Sequence, residues 1–352
     1  MEIKNGEQHT IIDDMVMAVE WWTDGHLDCS LSVENGTHNY THGDTEQTWQ
    51  SYTIKDNKFD GTWVIFHSNG VMSDYRNYSD GKKHGKWKSW HADGTQWNEE
   101  NYVDGKRHGR FAKWRTGEVK EFEGQYKDDL RDGMWKYYFD DGMKLEQGKY
   151  KNGKKDGEWL LFFEKLENEI IHEVITYESG IRNGQYTRYF KNKVIAEQGE
   201  FINGQRQGNW DFYFHSYLSA EPRQRKVIQY KDDKIDGQLI SFHPNGKQRS
   251  LIHFKKGKRF GSYNSYYSNG KSKCITSFKN DKKEGKYNEF FNNGEDRCVG
   301  KMKDDAMVGI WKYWYHNGEK ECELRLSNDG QMISGKVYHD NGKLKLERNF
   351  ND

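Results

Sequence analysis

Three cysteines, Cys274, Cys298 and Cys322, recur at intervals of 24 residues, a pattern that could serve a thiolate metal cage, a disulfide or a row of nucleophiles. If one interval is one pair of strands, equivalent positions stand about 9.5 Å apart, because a strand intervenes. A disulfide needs a Cα separation of ~4.4–6.8 Å, and zinc needs thiolates converging at ~2.3 Å each. The three are therefore expected as free thiols in a reducing compartment, with no metal. Histidines sit singly at equivalent places, His84 and His108 in one connection and His67, His91, His243 and His316 near another. No H-E-x-x-H, G-x-x-x-x-G-K-[ST], G-x-S-x-G or helix-opening G-x-G-x-x-G occurs, so neither catalysis nor a cofactor is expected.

The 24-residue interval belongs to the whole chain. Taking the second glycine of each G-K-x-x-G as a start, repeats begin at Gly61, Gly85, Gly109, Gly133, Gly157, Gly184, Gly208, Gly237, Gly261, Gly285, Gly309 and Gly335. A fixed period of this length signals a repeat architecture. Two residues after the start stands a large apolar side chain (Trp63, Trp87, Phe111, Trp135, Trp159, Trp210 and Trp311 among them), and seventeen after it a Tyr or Phe (Tyr78, Tyr102, Tyr126, Tyr150). Between them lies Asn-Gly or Asp-Gly, as at 69–70, 93–94 and 141–142, which predicts a two-residue hairpin turn. The expected fold is all-β: an elongated array of about 12–14 stacked antiparallel hairpins forming a single twisted ribbon or rod.

Centring the turn on Asn-Gly places the start-plus-two ring across from a return residue that is often glycine: Gly124 opposite Phe111, Gly148 opposite Trp135, Gly199 opposite Tyr186, Gly300 opposite Tyr287. A ring lying over bare glycine backbone pins strand register. Closing G-K-x-x-G as a turn puts Tyr78 across from Trp87, Tyr102 from Phe111, Tyr126 from Trp135 and Tyr150 from Trp159. Since an isolated hairpin is marginal, each repeat relies on its neighbours to cover its rings.

The pattern Y-x-x-G-K-x-x-G-x-W-x-x-[YFW]-x-x-[ND]-G over residues 57–345 resembles the MORN repeat family, closest to the bacterial YwqK-type antitoxin-like variant. The resemblance implies a binding scaffold, an antitoxin or immunity protein that masks a toxin, whereas eukaryotic MORN proteins suggest a scaffold assembling through its ends.

With 36 glycines, 2 prolines and few branched aliphatics, burial must come largely from aromatic rings. Residues 1–60 read as degenerate N-terminal capping repeats, 61–334 as the regular array with longer loops at 163–171 and 214–226, and 335–352 as a C-terminal capping repeat. No signal-like apolar run opens the chain and none approaches the ~20 residues of a membrane span, so a cytoplasmic protein is expected. Charge is polarised: residues 1–60 carry 12 acids against 3 bases, and 226–289 carry 15 bases against 6 acids. The basic segment offers a further reading as a binder of anionic polymer or a membrane surface, although nucleic acid and membrane partners are not the leading expectation.

A protein partner is expected where successive repeats depart from the standard loop. Glu164, Leu166, Glu167 and Ile170 replace one Asn-Gly turn, Lys191 and Lys193 flank a loop without its glycine, and Tyr217, Leu218, Arg223 and Arg225 belong to the longest insertion. Insertions in repeat proteins map to one face, often the binding face.

Overall fold

The computed structural model describes residues 6–12, 15–23, 26–31, 34–41, 48–165, 169–215 and 221–350, with side chains described from residue 34 on except at 40 and 41. Strand is the only regular element among them. The chain divides into two compact units, one running to Ile171 and including Tyr177–Gly180, the other comprising His172–Thr176 and everything from Ile181. The first unit opens with a three-stranded sheet, Gly6–Ile12, Met15–Thr23 and His26–Leu31. A separate antiparallel ladder starts where Gly36–Thr41 pairs with Thr48–Lys55, and it runs strand to next strand as far as Lys154–Phe162. In the second unit an equivalent ladder runs from Ile181–Tyr189 to Leu344–Asn349. The expected all-β array of hairpins is what forms.

The two kinds of turn are exchanged relative to expectation. The two-residue turn with both φ angles positive lies in the connection, as at Asn152 (φ 50°) and Gly153 (φ 77°) between paired Lys151 and Lys154. The Asn-Gly pairs sit instead in longer loops. His67 N–H donates to Val71 O at 2.7 Å, Gly70 N–H to His67 O at 2.9 Å, and only the glycine of Asn69-Gly70 has positive φ (83°). Asn69 Oδ1 accepts the Val71 N–H at 3.1 Å, an Asx bond that holds the loop without left-handed geometry at the Asn itself. The expected pairing across the hairpin survives, Trp135 facing Gly148 and Phe111 facing Gly124, because a bulge on the return strand absorbs the extra loop residue.

Pairing across the connection is corrected. Tyr150 faces Lys155 rather than Trp159, and Tyr78, Tyr102 and Tyr126 face Lys83, Arg107 and Arg131. Gly157, at φ +72°, and Glu158 bulge out of the outgoing strand, which shifts Trp159 two places so that it pairs with Gly148. The rings still meet: Tyr150 and Trp159 are edge to face at 5.1 Å between centroids, and Tyr126 and Trp135 likewise at 5.2 Å.

The same bulge decides which ring covers which glycine. Gly124, Gly148, Gly199 and Gly300 are covered by Trp135, Trp159, Trp210 and Trp311 of the following repeat, not by the ring across their own hairpin. A Cβ on Gly124 would stand 2.3 Å from Trp135 Cδ2. Those four indoles are at most 3% exposed, while Trp63 and Trp87, whose preceding residues at this place are Tyr52 and Arg76, stay half-buried. Each buried indole donates to the carbonyl just beyond its glycine, Trp135 to Gln125 O and Trp159 to Lys149 O, both at 3.0 Å.

Gly335 is also corrected: it faces Leu324, the place a ladder ring takes elsewhere, so the last hairpin begins two residues earlier and keeps the 24-residue register from Gly309.

Repeats are tied at both edges. On the loop side Asn69 Nδ2 donates to Ala92 O at 2.6 Å, and Asn245 and Asn269 repeat the bond to Ser268 and Asn292. On the connection side Gly105 N–H donates to Lys83 O at 2.8 Å and Gly153 N–H to Arg131 O at 2.9 Å.

Candidate functional site

The loops expected to bind a partner are fixed at their bases. In the first unit Phe163 N–H donates to Ile170 O at 3.0 Å, Lys144 Nζ holds Glu169 at 2.9 Å, and Glu164 is exposed. In the second unit Phe214 N–H donates to Arg223 O at 2.9 Å and Arg223 Nη1 donates to Pro244 O at 3.2 Å, while Arg225 is exposed. Leu166, Glu167, Tyr217 and Leu218 lie outside the described residues. Lys191 and Lys193 do not mark an aberrant loop, contrary to expectation. Lys193 takes the positive φ (65°) that glycine takes elsewhere and its N–H donates to Phe190 O at 2.9 Å, so the loop keeps the standard frame.

A second feature arises from the row four residues after each repeat start. In the first unit the row is bulky from Phe122 onward, Phe122 facing Tyr137 and Glu146 facing Leu161, and the small Ser89 between Asp74 and Asn98 leaves only a hollow of ≈ 280 Å³. In the second unit the same row reads Ser241, Ser250, Ser265 and Cys274, each facing the next. The neighbouring ring row thins as well, to Leu239 facing Ile252 and Tyr263 facing Thr276. Small side chains leave volume unfilled, and a groove of ≈ 930 Å³ opens along this stretch. Its floor is hydroxylic. Ser241 and Ser250 share a hydrogen bond of 2.7 Å, Ser265 is 7% exposed, and Thr276, 4% exposed, has a buried Oγ1 with no hydrogen-bond partner.

Charge around the groove is one-sided. Arg249, Arg259, Lys273 and Lys283 line it against a single acid, Glu289. Glu289 is already engaged, accepting from Arg297 Nη1 at 2.8 Å and from Tyr287 OH at 3.3 Å. Arg259 is likewise engaged, with Asp281 at 3.4 Å. Burial raises the Cys274 thiol above its ordinary range and pushes Cys298 up to about 12, with the Glu289 carboxylate adding to the latter. Both thiols are thus held protonated, the reverse of what a nucleophile or metal ligand needs. Among the described residues no group of three or more His, Cys, Asp or Glu could hold a metal ion.

The sequence singles out 226–289 by its charge but gives no sign of the groove, since a serine every twelfth residue or so reads as surface until the strand face is known.

Three segments, residues 83–104, 131–152 and 334–352, match the model of the MORN repeat variant. These segments carry MORN-type repeats. No curated protein matches the chain. Among solved structures it is similar to a chain of the crystal structure of TcdB2-TccC3-Cdc42, at 10% identity, covering 98% of this chain and 23% of that one with a TM-score of 0.17. A second is a chain of the Photorhabdus luminescens Tc holotoxin pore, at 9% identity, covering 96% and 25% with a TM-score of 0.13. The protein thus spans about a quarter of the length of these chains.

Proposed function

We propose that this protein is a non-catalytic, cytoplasmic protein-binding module, and that its client is a toxin which it masks as an antitoxin or immunity protein. The observation that supports binding is the division of labour within each repeat. Indoles, glycines and edge hydrogen bonds repeat as a fixed frame, whereas the loops at 163–170 and 214–223 depart from the standard loop on firmly tied bases. Binding residues placed on loops over a rigid scaffold are the common arrangement. Glu164, Ile170 and Arg223, with Leu166, Glu167, Tyr217 and Leu218, form the proposed contact set. The antitoxin role is supported by the resemblance of the repeat pattern.

The test is affinity capture from the native host followed by trimming. Residues 164–169 and 215–222 are each replaced by Ser-Asn-Gly, the form of the standard loop, leaving Phe163, Ile170, Phe214 and Arg223 in place. Loss of the captured protein with an unchanged melting curve is expected. Undiminished capture by the trimmed protein would remove the loops from the interface.

A further inference from the structure

The return-strand bulge repeats in every ladder hairpin whose pairing is described, and the residue it extrudes can be read along the array. In the ladder of the first unit these residues include Trp49, Ser73, Trp97, Glu121 and Leu145. In the second, four consecutive hairpins extrude Arg225, Arg249, Lys273 and Arg297. All four are exposed. Arg297 is held by Glu289, and none of the ion pairs among the described residues involves Arg225, Arg249 or Lys273. Arg249 and Lys273 line the groove together with Thr276, whose buried Oγ1 has no hydrogen-bond partner.

Neighbouring hairpins are two strands apart, about 9.5 Å, so this is a line of positive charge with one step per repeat. A polyproline-II segment has three residues per turn and rises ~3.1 Å per residue, so every third side chain returns to one face after about 9.3 Å. The two periods agree. We infer that the groove and its cation row bind an extended acidic segment of a protein partner with a carboxylate at every third residue.

The hydroxyl floor suits such a chain, whose backbone N–H and C=O groups are left free by this conformation. Nucleic acid is disfavoured because the rings beside the groove are already engaged. Tyr263 is edge to face with Phe278 at 5.8 Å, and Tyr267 donates to Phe290 O at 2.7 Å and carries Lys273 over its ring at 5.7 Å. This inference rests on the protein-binding reading but uses a different surface from the loops.

Fluorescence polarisation with labelled peptides of about nine residues, three turns of this helix, tests it. One peptide repeats Glu-Ser-Ser, and its control has the same composition with the glutamates in one block. The repeating peptide is expected to bind at least tenfold tighter than the control, to lose that binding in Arg249→Glu/Lys273→Glu, and to weaken with added salt. Ser265→Tyr, which fills the row as Tyr137 does in the first unit, should also abolish binding while the fold melts no earlier. Equal binding of both peptides, tighter binding of oligothymidylate, or indifference to the charge reversal would overturn the inference. A captured host protein retained equally by Arg249→Glu/Lys273→Glu would also overturn it while leaving the protein-binding reading intact. Peptide binding without any captured host protein would count against that reading instead.

Discussion

Trp135 lies flat against Gly124, eleven residues before it, so closely that a methyl group there would stand 2.3 Å from the indole. Gly124→Ala must push the ring off its seat, and overpacking of this kind costs about 1–3 kcal/mol. Urea denaturation should show that loss. A wild-type midpoint in the variant would mean that the ring has room to move.

Trp135 and Trp63 occupy the same place in their repeats but differ at the indole nitrogen. Trp135 Nε1 donates to Gln125 O at 3.0 Å, whereas Trp63 Nε1 is buried without a partner. Trp135→Ala should cost about 3–5 kcal/mol. Trp135→Phe should lose about 1 kcal/mol more than Trp63→Phe, the worth of the hydrogen bond. Equal losses in the two phenylalanine variants would contradict this.

Lys193 holds a left-handed φ of 65° in a loop where most other repeats use glycine, Glu118 at 64° being another exception. Lys193→Gly should therefore stabilise the protein by roughly 1 kcal/mol, by removing the strain of a side chain in this region. Differential scanning calorimetry would detect the rise, and a lowered transition temperature would refute it.

Several acids are held protonated by burial. Cys298 is pushed up to about 12 from 9.0, and Tyr102 and Tyr313 to about 12 from 10.0, burial being the largest cause in each. In the unfolded chain these groups lose their protons first. Their contribution is fully present below about pH 9 and drains away as pH rises towards about 12. The urea midpoint should fall between about pH 8 and about pH 11, and iodoacetamide should label Cys298 far more slowly in the folded than in the unfolded protein. A midpoint that holds steady across this interval would count against the assignment.

Much of this fold was legible because periodicity constrains strands so tightly. The 24-residue spacing implies the hairpins, and the Asn-Gly position implies the pairing of Trp135 with Gly148 although the loop around it is longer than the expected two-residue turn. The difference has a physical origin. Asn-Gly suits both a two-residue turn and a longer loop with one left-handed residue, and sequence alone does not say where the strand bulges. A strand without the bulge at Gly157 and Glu158 would bring Tyr150 closer to Trp159 in register, whereas its partner is Lys155. The site was harder to see. Ser241, Ser250 and Ser265 form a hollow only because they share a face with rings that are missing there, and Arg225, Arg249 and Lys273 form a line only once each is known to be extruded by a bulge.

The seating of Trp135, Trp159, Trp210 and Trp311 on the glycine of the preceding repeat means that the unit of packing straddles the boundary between units of sequence. Hairpins are therefore not interchangeable parts. A repeat bringing a tryptophan is accommodated fully only behind one that ends in glycine, and one placed behind Thr276 or Ile252 would meet a side chain instead. The array has a grammar in which each word limits the next. Duplications of a period cut at the hairpin loops, which carry a return strand together with the outgoing strand seated on it, pass that grammar on intact. Shuffling of single hairpins cut at their connections breaks it, as a copy of Trp210 set behind Ile228 would show.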